Sequence, residues 1–370
     1  MIRGLISILI ICVMLMTGCS SPEEKIPLEK LGMVGVLAFD YIDENTTKLS
    51  VAIPQFLPDV EQNVQIFTIE TELVSDGIFQ VERLSDKKII LNQLRVVLIN
   101  EEFARKGNVE KIVKHLYRSA EVGNKVLLAV VKGSSCEDLL NGNYPDKPKI
   151  DFYLNDLLQP SINTAFNPNT NIHDFIYTQT NPVIDSILPV LEKKHEKVEI
   201  KGVALFKNQH MHNIITPHEA LVIQALQGKK QLSPLPIVLD QDNKTEKVFL
   251  DLIENDVKMK SNKDIESPKL SINLSIKGTL SEYKGKRENN LNTLTKLSKL
   301  EKDVSKQIER EIRNFIQKTI EQDIDPIGLS ENFRKYYHGQ WTNELTDKIL
   351  NNLEFDIHVQ TSIISTGTLK

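Results

Sequence analysis

The chain has 370 residues, enough for two or three domains with cores of their own, and a formal net charge of −5 in which 26% of residues are charged, with both signs mixed. This balance lacks the concentrated basic field that phosphate binding needs, and 6% aromatic residues with Trp341 as the one tryptophan give no stacking platform, which argues against nucleic acid as a partner. The three cysteines, Cys12, Cys19 and Cys136, show neither a CxxC metal spacing nor a disulfide framework, so the fold has to rest on its apolar core.

The N-terminus has the order of a secretory signal peptide: one positive charge at Arg3, an apolar run from Leu5 to Met16, then small Thr17-Gly18. The run is shorter than the roughly 20 apolar residues of a spanning helix, and Glu23-Glu24 close it. Small residues immediately before Cys19 resemble a bacterial lipobox, in which the thiol carries diacylglycerol and the chain is cut in front of it; Met16 stands where leucine is usual. The other reading is an ordinary signal peptide or an uncleaved anchor with a coincidental cysteine. With Cys19 lipidated and Cys12 lost with the leader, Cys136 alone remains a free thiol, read as a small, partly buried residue near a helix start. Ser20 to Pro27 forms a polar tether.

Strands are predicted at 31–41 and 47–56 around the turn Asp43-Glu44-Asn45. Residues 95–99 and 125–131 are apolar throughout, the pattern of strands buried on both faces, and between them Val109, Ile112, Val113, Leu116 and Tyr117 fall at helical spacing, giving a β-α-β unit. Residues 141–195, rich in Asn and Pro, read as irregular cover with short helices, with a boundary near Lys193–Lys197. A hairpin of 198–206 and 211–215 follows, turned by Lys207-Asn208-Gln209. It leads to a helix with Thr216 as cap, Pro217 at its first position, Glu219 completing a capping box and Gly228 at its far end, the whole read as self-contained. Leu270, Ile272, Leu274 and Ile276 alternate as in a strand with one wet face. Leu300, Val304, Ile308, Ile312, Phe315, Ile316 and Ile320 make one helical stripe, Asp325-Pro326-Ile327-Gly328 breaks it, and Phe355, Ile357 and Val359 alternate again. The expected fold is α+β, with three mixed α/β domains at 29–195, 196–261 and 262–370 behind a leader (1–18) and the lipidated cysteine with its tether (19–28).

Catalytic signatures are missing. There is no G-x-S-x-G, no P-loop, and His218-Glu219 is followed by Ala-Leu-Val without the second histidine of H-E-x-x-H. His210-x-His212 with His218 comes nearest to a metal set, but no carboxylate or cysteine at ligand spacing joins them, and they read as a solvated hairpin. Glu309-Arg310-Glu311 reads as a solvated helix face and Lys335-Tyr336-Tyr337-His338 as a packed loop. No catalytic, cofactor-binding or metal residue is assigned; Cys19 is the one site residue.

Taken in order, the lipobox, "LINEEFARKGNVEKIVKHLYRS", "KGVALFKNQ", "LEKDVSKQIEREIRNFIQKTIEQDIDPIGL" and "FDIHVQTSIISTG" resemble the C-subunit lipoproteins of spore germinant receptors, the Ger(x)C family, from Cys19 almost to Lys370. Departures are Ser20-Ser21-Pro22 after the cysteine, Ala38-Phe39-Asp40 where Gly-Ile-Asp is usual, and Leu329 where an aromatic is common. The resemblance implies a non-catalytic, lipid-anchored subunit in the inner membrane of an endospore, with multi-spanning A and B subunits as partners, needed to start germination on nutrients, and a three-domain α+β body. A solute-binding lipoprotein of an importer is the alternative from another class. It calls for two similar lobes around a cleft, whereas the C-terminal half here suits antiparallel sheets.

Overall fold

The computed structural model describes residues 26–55, 64–145, 147, 149–159, 167–241, 244–287 and 294–365. The leader, Cys19 and most of the tether lie outside them. The fold is α+β.

Its larger sheet grows from the apolar runs. Strands β2 (Val36–Tyr41), β6 (Val96–Asn100) and β7 (Leu127–Lys132) are buried at nearly every position and pair in parallel, with β8 (Ile187–Lys194) next to β7. Antiparallel strands extend both sides: β3 (Thr47–Pro54) and β4 (Val64–Thr71) beyond β2, β9 (Lys197–Lys207) and β10 (His210–Ile215) beyond β8, giving the order β10-β9-β8-β7-β6-β2-β3-β4 among the described residues. Short β1 (Leu31–Met33) and β5 (Lys88–Ile90) pair in parallel beside it. Helices cover both faces, as a sheet with a parallel centre requires. On one face lie α1 (Val74–Leu84), α2 (Glu101–Lys106), α3 (Val109–Arg118) and α6 (Ile172–Thr180), packed on Leu37, Phe39, Val97, Ile99 and Leu128. On the other, α4 (Cys136–Leu140) and α5 (Ile150–Leu158) pack on Val36, Ala38, Val96 and Leu98. The helical stripe between β6 and β7 lies whole in α3 and a short α2 precedes it, because Asn100 and Asn108 each cap their own helix, Asn100 accepting the Glu102 and Phe103 N–H groups and Asn108 that of Lys111.

The second sheet consists of β11 (Gln231–Leu232), β12 (Leu235–Gln241), β13 (Lys244–Ser261), β14 (Lys269–Lys284) and β15 (Glu354–Ser365), with β15 parallel to β14 and the other pairs antiparallel. One face is roofed by α8 (Leu294–Glu321), whose Leu300, Val304, Ile308, Ile312, Phe315 and Ile316 are buried against Leu270, Ile272, Leu274 and Ile276; each such side chain contributes roughly 1.5–3 kcal/mol. Helix α7 (Pro217–Leu226) is buried almost all round and joins this core to Val203 and Leu205 of the first sheet. Its capping box is as expected, with Thr216 accepting the Glu219 N–H and Glu219 accepting the Thr216 N–H. Helices α9 (Glu331–Arg334) and α10 (Asn343–Asn351) lead back to β15.

Two readings change, and one long strand was not read at all. Residues 187–194, taken as irregular cover, are the inner strand β8; Pro189 disguises it, yet pairing with β7 begins only at Val190, so the missing N–H is not required on that side. The hairpin at 198–215 is not self-contained: β9 pairs with β8 from Ile187↔Leu205 to Lys194↔Lys197, and the Lys193–Lys197 boundary falls on a tight turn inside one sheet, with His195 at φ 56°. Gly202 allows β10 to close on β9, because a Cβ there would collide with the Ile215 carbonyl. Finally, β13 escapes its own periodicity. A bulge between Asp251 and Glu254, with Leu252 at φ 50°, moves the buried positions from Val248 and Leu250 to Ile253 and Asn255, so strict alternation fails halfway along 18 residues.

Candidate functional site

Cys19 is beyond the described residues. The described chain begins with exposed Ile26–Lys30, including one 3-10 turn at Leu28–Lys30, before entering β1. Six residues, seven Cα-to-Cα steps, separate Ile26 from Cys19, a reach of at most about 25 Å.

The helix-breaking segment after α8 is where the two halves are bracketed together. The backbone N–H of Asp185 donates to the Asp325 carbonyl at 2.8 Å, and the Asp325 N–H returns to Asp185 Oδ2 at 2.7 Å. The Asp325 carboxylate folds its own turn: Oδ1 accepts the N–H of Gly328 at 2.7 Å and of Ile327 at 3.2 Å, and Oδ2 that of Ser330 at 3.4 Å. Gly328 stands at φ 82°, a conformation that disfavours any side chain. Thr346 Oγ1 donates to the Pro182 carbonyl at 2.6 Å, Gln227 Nε2 to that of Pro326 at 2.9 Å, and Lys207 lies between Asp185 (3.4 Å) and Asp347 (3.7 Å). Burial pushes the Asp325 carboxyl up to about 7, the charge of Asp185 adding to burial and the three N–H donors opposing it. Burial also raises Asp185, against the Asp325 N–H and the Lys207 ammonium. The arrangement is a structural bracket holding a buried acid that titrates near neutrality.

Other chemistry-bearing groups are tied up structurally. Cys136 is fully buried at the first position of α4, more deeply than expected, and burial holds its thiol well above the ordinary range, which removes it as a nucleophile. Its N–H and that of Glu137 donate to the two oxygens of Asp40, at 2.7 and 3.1 Å, so the acid closing the Ala38-Phe39-Asp40 strand motif caps α4. His210 and His212 point to solvent on either side of buried Met211, while His218 turns to Glu311 at 2.9 Å. No three His, Cys, Asp or Glu side chains among the described residues gather where they could hold a metal ion. Glu311 is therefore half inside an interhelical contact, and Glu309-Arg310-Glu311 is not uniformly a wet face. Tyr337 stacks edge-on with Trp341 at 5.5 Å, and Lys263 lies 4.5 Å over the half-exposed Tyr336 ring.

An open groove of about 590 Å³ runs between the α1 and α3 helices and the Asp43–Thr46 turn, with Ser75 and His115 hydrogen-bonded across it at 3.2 Å. A second one of about 490 Å³ lies between Asn167–Thr170 and α7. Composition and periodicity gave no sign of the bracket or of either groove, because each joins residues far apart in sequence.

Residues 24–193 match a family described as spore germination protein N-terminal domain, and residues 201–367 one described as spore germination B3/GerAC like, C-terminal. The chain is similar to spore germination protein GerQC of Bacillus cereus, 28% identical over 352 residues that cover 95% of each chain. It is also similar to spore germination protein B3 of Bacillus subtilis (strain 168), 21% identical over 380 aligned residues, 98% of each chain. Among solved structures, the crystal structure of the GerBC protein shares the fold, with a TM-score of 0.55 at 17% identity over 89% of this chain and 96% of that one.

Proposed function

Since this chain belongs to the Ger(x)C family, the C subunits of spore germinant receptors, we propose that it is the lipid-anchored, non-catalytic subunit of a nutrient receptor in the inner membrane of an endospore-forming bacterium, acting with multi-spanning A and B subunits to start germination. The observation that carries this reading is co-linearity: the two matched regions run from residue 24 to residue 367 in family order, behind a Thr-Gly-Cys leader end. The exposed entry at Ile26 suits a body hung from Cys19 by a short polar tether. A non-catalytic role fits the described residues, in which buried Asp325 folds the bracket turn, Asp40 caps the helix that buries Cys136, and the partly exposed His218 is bonded to Glu311.

Deletion of the gene tests the reading directly. Spores lacking it should lose the response to one set of nutrients and keep their response to nutrient-independent triggers; an unchanged nutrient response overturns it. Tight, saturable binding of a nutrient by the isolated body would overturn the view that the subunit works through protein contacts.

A further inference from the structure

Open sheet edges offer unpaired N–H and C=O groups to any extended chain, and folded proteins guard them. Here β1, β5 and β11 are only two or three residues long, and β12 carries Pro236 just after Pro234. β10 is bulged between Met211 and Asn213, and Arg105 Nη1 donates to its His212 carbonyl at 2.9 Å. β15 is screened from α8, where Ser305 and Glu301 accept the N–H groups of Thr361 and Ile363.

β4 has no such protection. Its eight residues, VQIFTIET, hold unbroken register with β3 from Pro54↔Val64 to Thr47↔Thr71 and contain no proline, lysine or arginine. Among the described residues, no side chain of another element bonds to its outer backbone. Ile66, Phe67 and Ile69 stay half-exposed. Glu70 is exposed and enters no ion pair among the described residues, for Lys48, its cross-strand neighbour, reaches Glu137 at 3.3 Å instead.

We propose that β4 is a docking edge that receives an added strand from a different polypeptide chain, an extended segment with alternate apolar residues and a basic side chain opposite Glu70. Backbone complementarity sets the extended form, and the half-covered Phe67 and Ile69, which share one face of β4, set the apolar alternation. The unpaired acid sets the charge. A second copy of this chain is the poorer occupant: full-length two-fold pairing of β4 with itself sets Glu70 opposite Val64 or Gln65, and the strand has no cation to offer.

The test is a photo-cross-linking amino acid placed at exposed Gln65 in the full-length protein, in the membranes of its own organism, with exposed His358 on β15 as the control position. The expected adduct maps by mass spectrometry to one continuous segment of another protein, is absent from the His358 control, and falls about ten-fold when Glu70→Lys is added. Glu70→Lys alters an exposed, unpaired side chain, so an unchanged melting midpoint should accompany the loss. Adducts with a second copy, with lipid, or with this chain's own residues 1–25 or 56–63 overturn the proposal. So does an adduct indifferent to Glu70→Lys, or none above the control.

Discussion

The Ser305 hydroxyl oxygen accepts the backbone N–H of Thr361 at 2.9 Å while its own hydrogen goes to the Glu301 carbonyl one turn back at 2.7 Å. A serine inside a helix normally weakens it by this back-bond; here the same rotamer aims the oxygen at the outer edge of β15. Glu301 Oε1 does likewise for Ile363 at 2.8 Å. Ser305→Ala should therefore cost about 1 kcal/mol, read as a shift in denaturant midpoint. Ser305→Ala with Glu301→Ala should expose enough edge to produce concentration-dependent self-association in sedimentation velocity.

Asp325 should make stability depend on pH. Its folded value, about 7, lies above the ordinary 3.8, so between those limits the folded chain holds the proton more tightly than the unfolded one. Stability should fall as pH rises through that window, by up to about 1.4 kcal/mol per pH unit from this group, and level off above it. Asp325→Asn keeps an oxygen for Gly328 and Ile327 and should abolish this slope. Urea titrations at pH 5 and pH 8 measure it, and equal slopes in both proteins would refute the assignment.

The His218–Glu311 contact acts with the same sign but at higher pH. Glu311 raises the His218 value through its hydrogen bond, against desolvation. The stabilisation is therefore present in full below the ordinary imidazole range and disappears as pH climbs through the raised folded value. The pair is partly exposed, so Glu311→Gln should cost only about 0.5–1 kcal/mol at pH 5.5 and close to nothing at pH 8.5. Thermal melts at the two pH values separate the outcomes.

Much of this could be read from the chain beforehand and some could not. Apolar runs gave β6 and β7, and a Thr-Pro-x-Glu start gave α7, because those signals are local. Pro189 hid β8, and the Leu252 bulge breaks the alternation of β13, which was not read at all, since a local rule is broken where a neighbouring strand compensates. The Asp325-Pro326-Ile327-Gly328 break was legible as a helix end. Its grip on Asp185, 140 positions away, was not, because nothing in either segment encodes the distance between them. Glu311 looked like surface charge until His218 was placed beside it.

Cys19→Ala should abolish lipid modification and stop cleavage at Thr-Gly-Cys, while the melting behaviour of the body stays as it was. Two acyl chains at about 0.8 kcal/mol per buried CH₂ anchor firmly where one is marginal. Because an uncut leader could still hold the precursor at a membrane, the measurement is fatty-acid labelling with mass spectrometry of the mature N-terminus. An unmodified wild-type N-terminus at another residue would sink the lipobox reading.

The ladder that runs on both sides of the His195 turn also bears on how relatives of this chain can recombine. The two matched family regions meet at residues 193–201, which invites chimeras joined there. Yet β8 from one parent would have to accept β9 from the other along the register Ile187↔Leu205 to Lys194↔Lys197, including the shift between Val190 and Leu191. It would also need a glycine at 202 to admit β10. A crossover at this seam therefore splits a hydrogen-bonded pair of strands, and exchanges that keep Ile187–Ile215 from a single parent should yield more folded progeny.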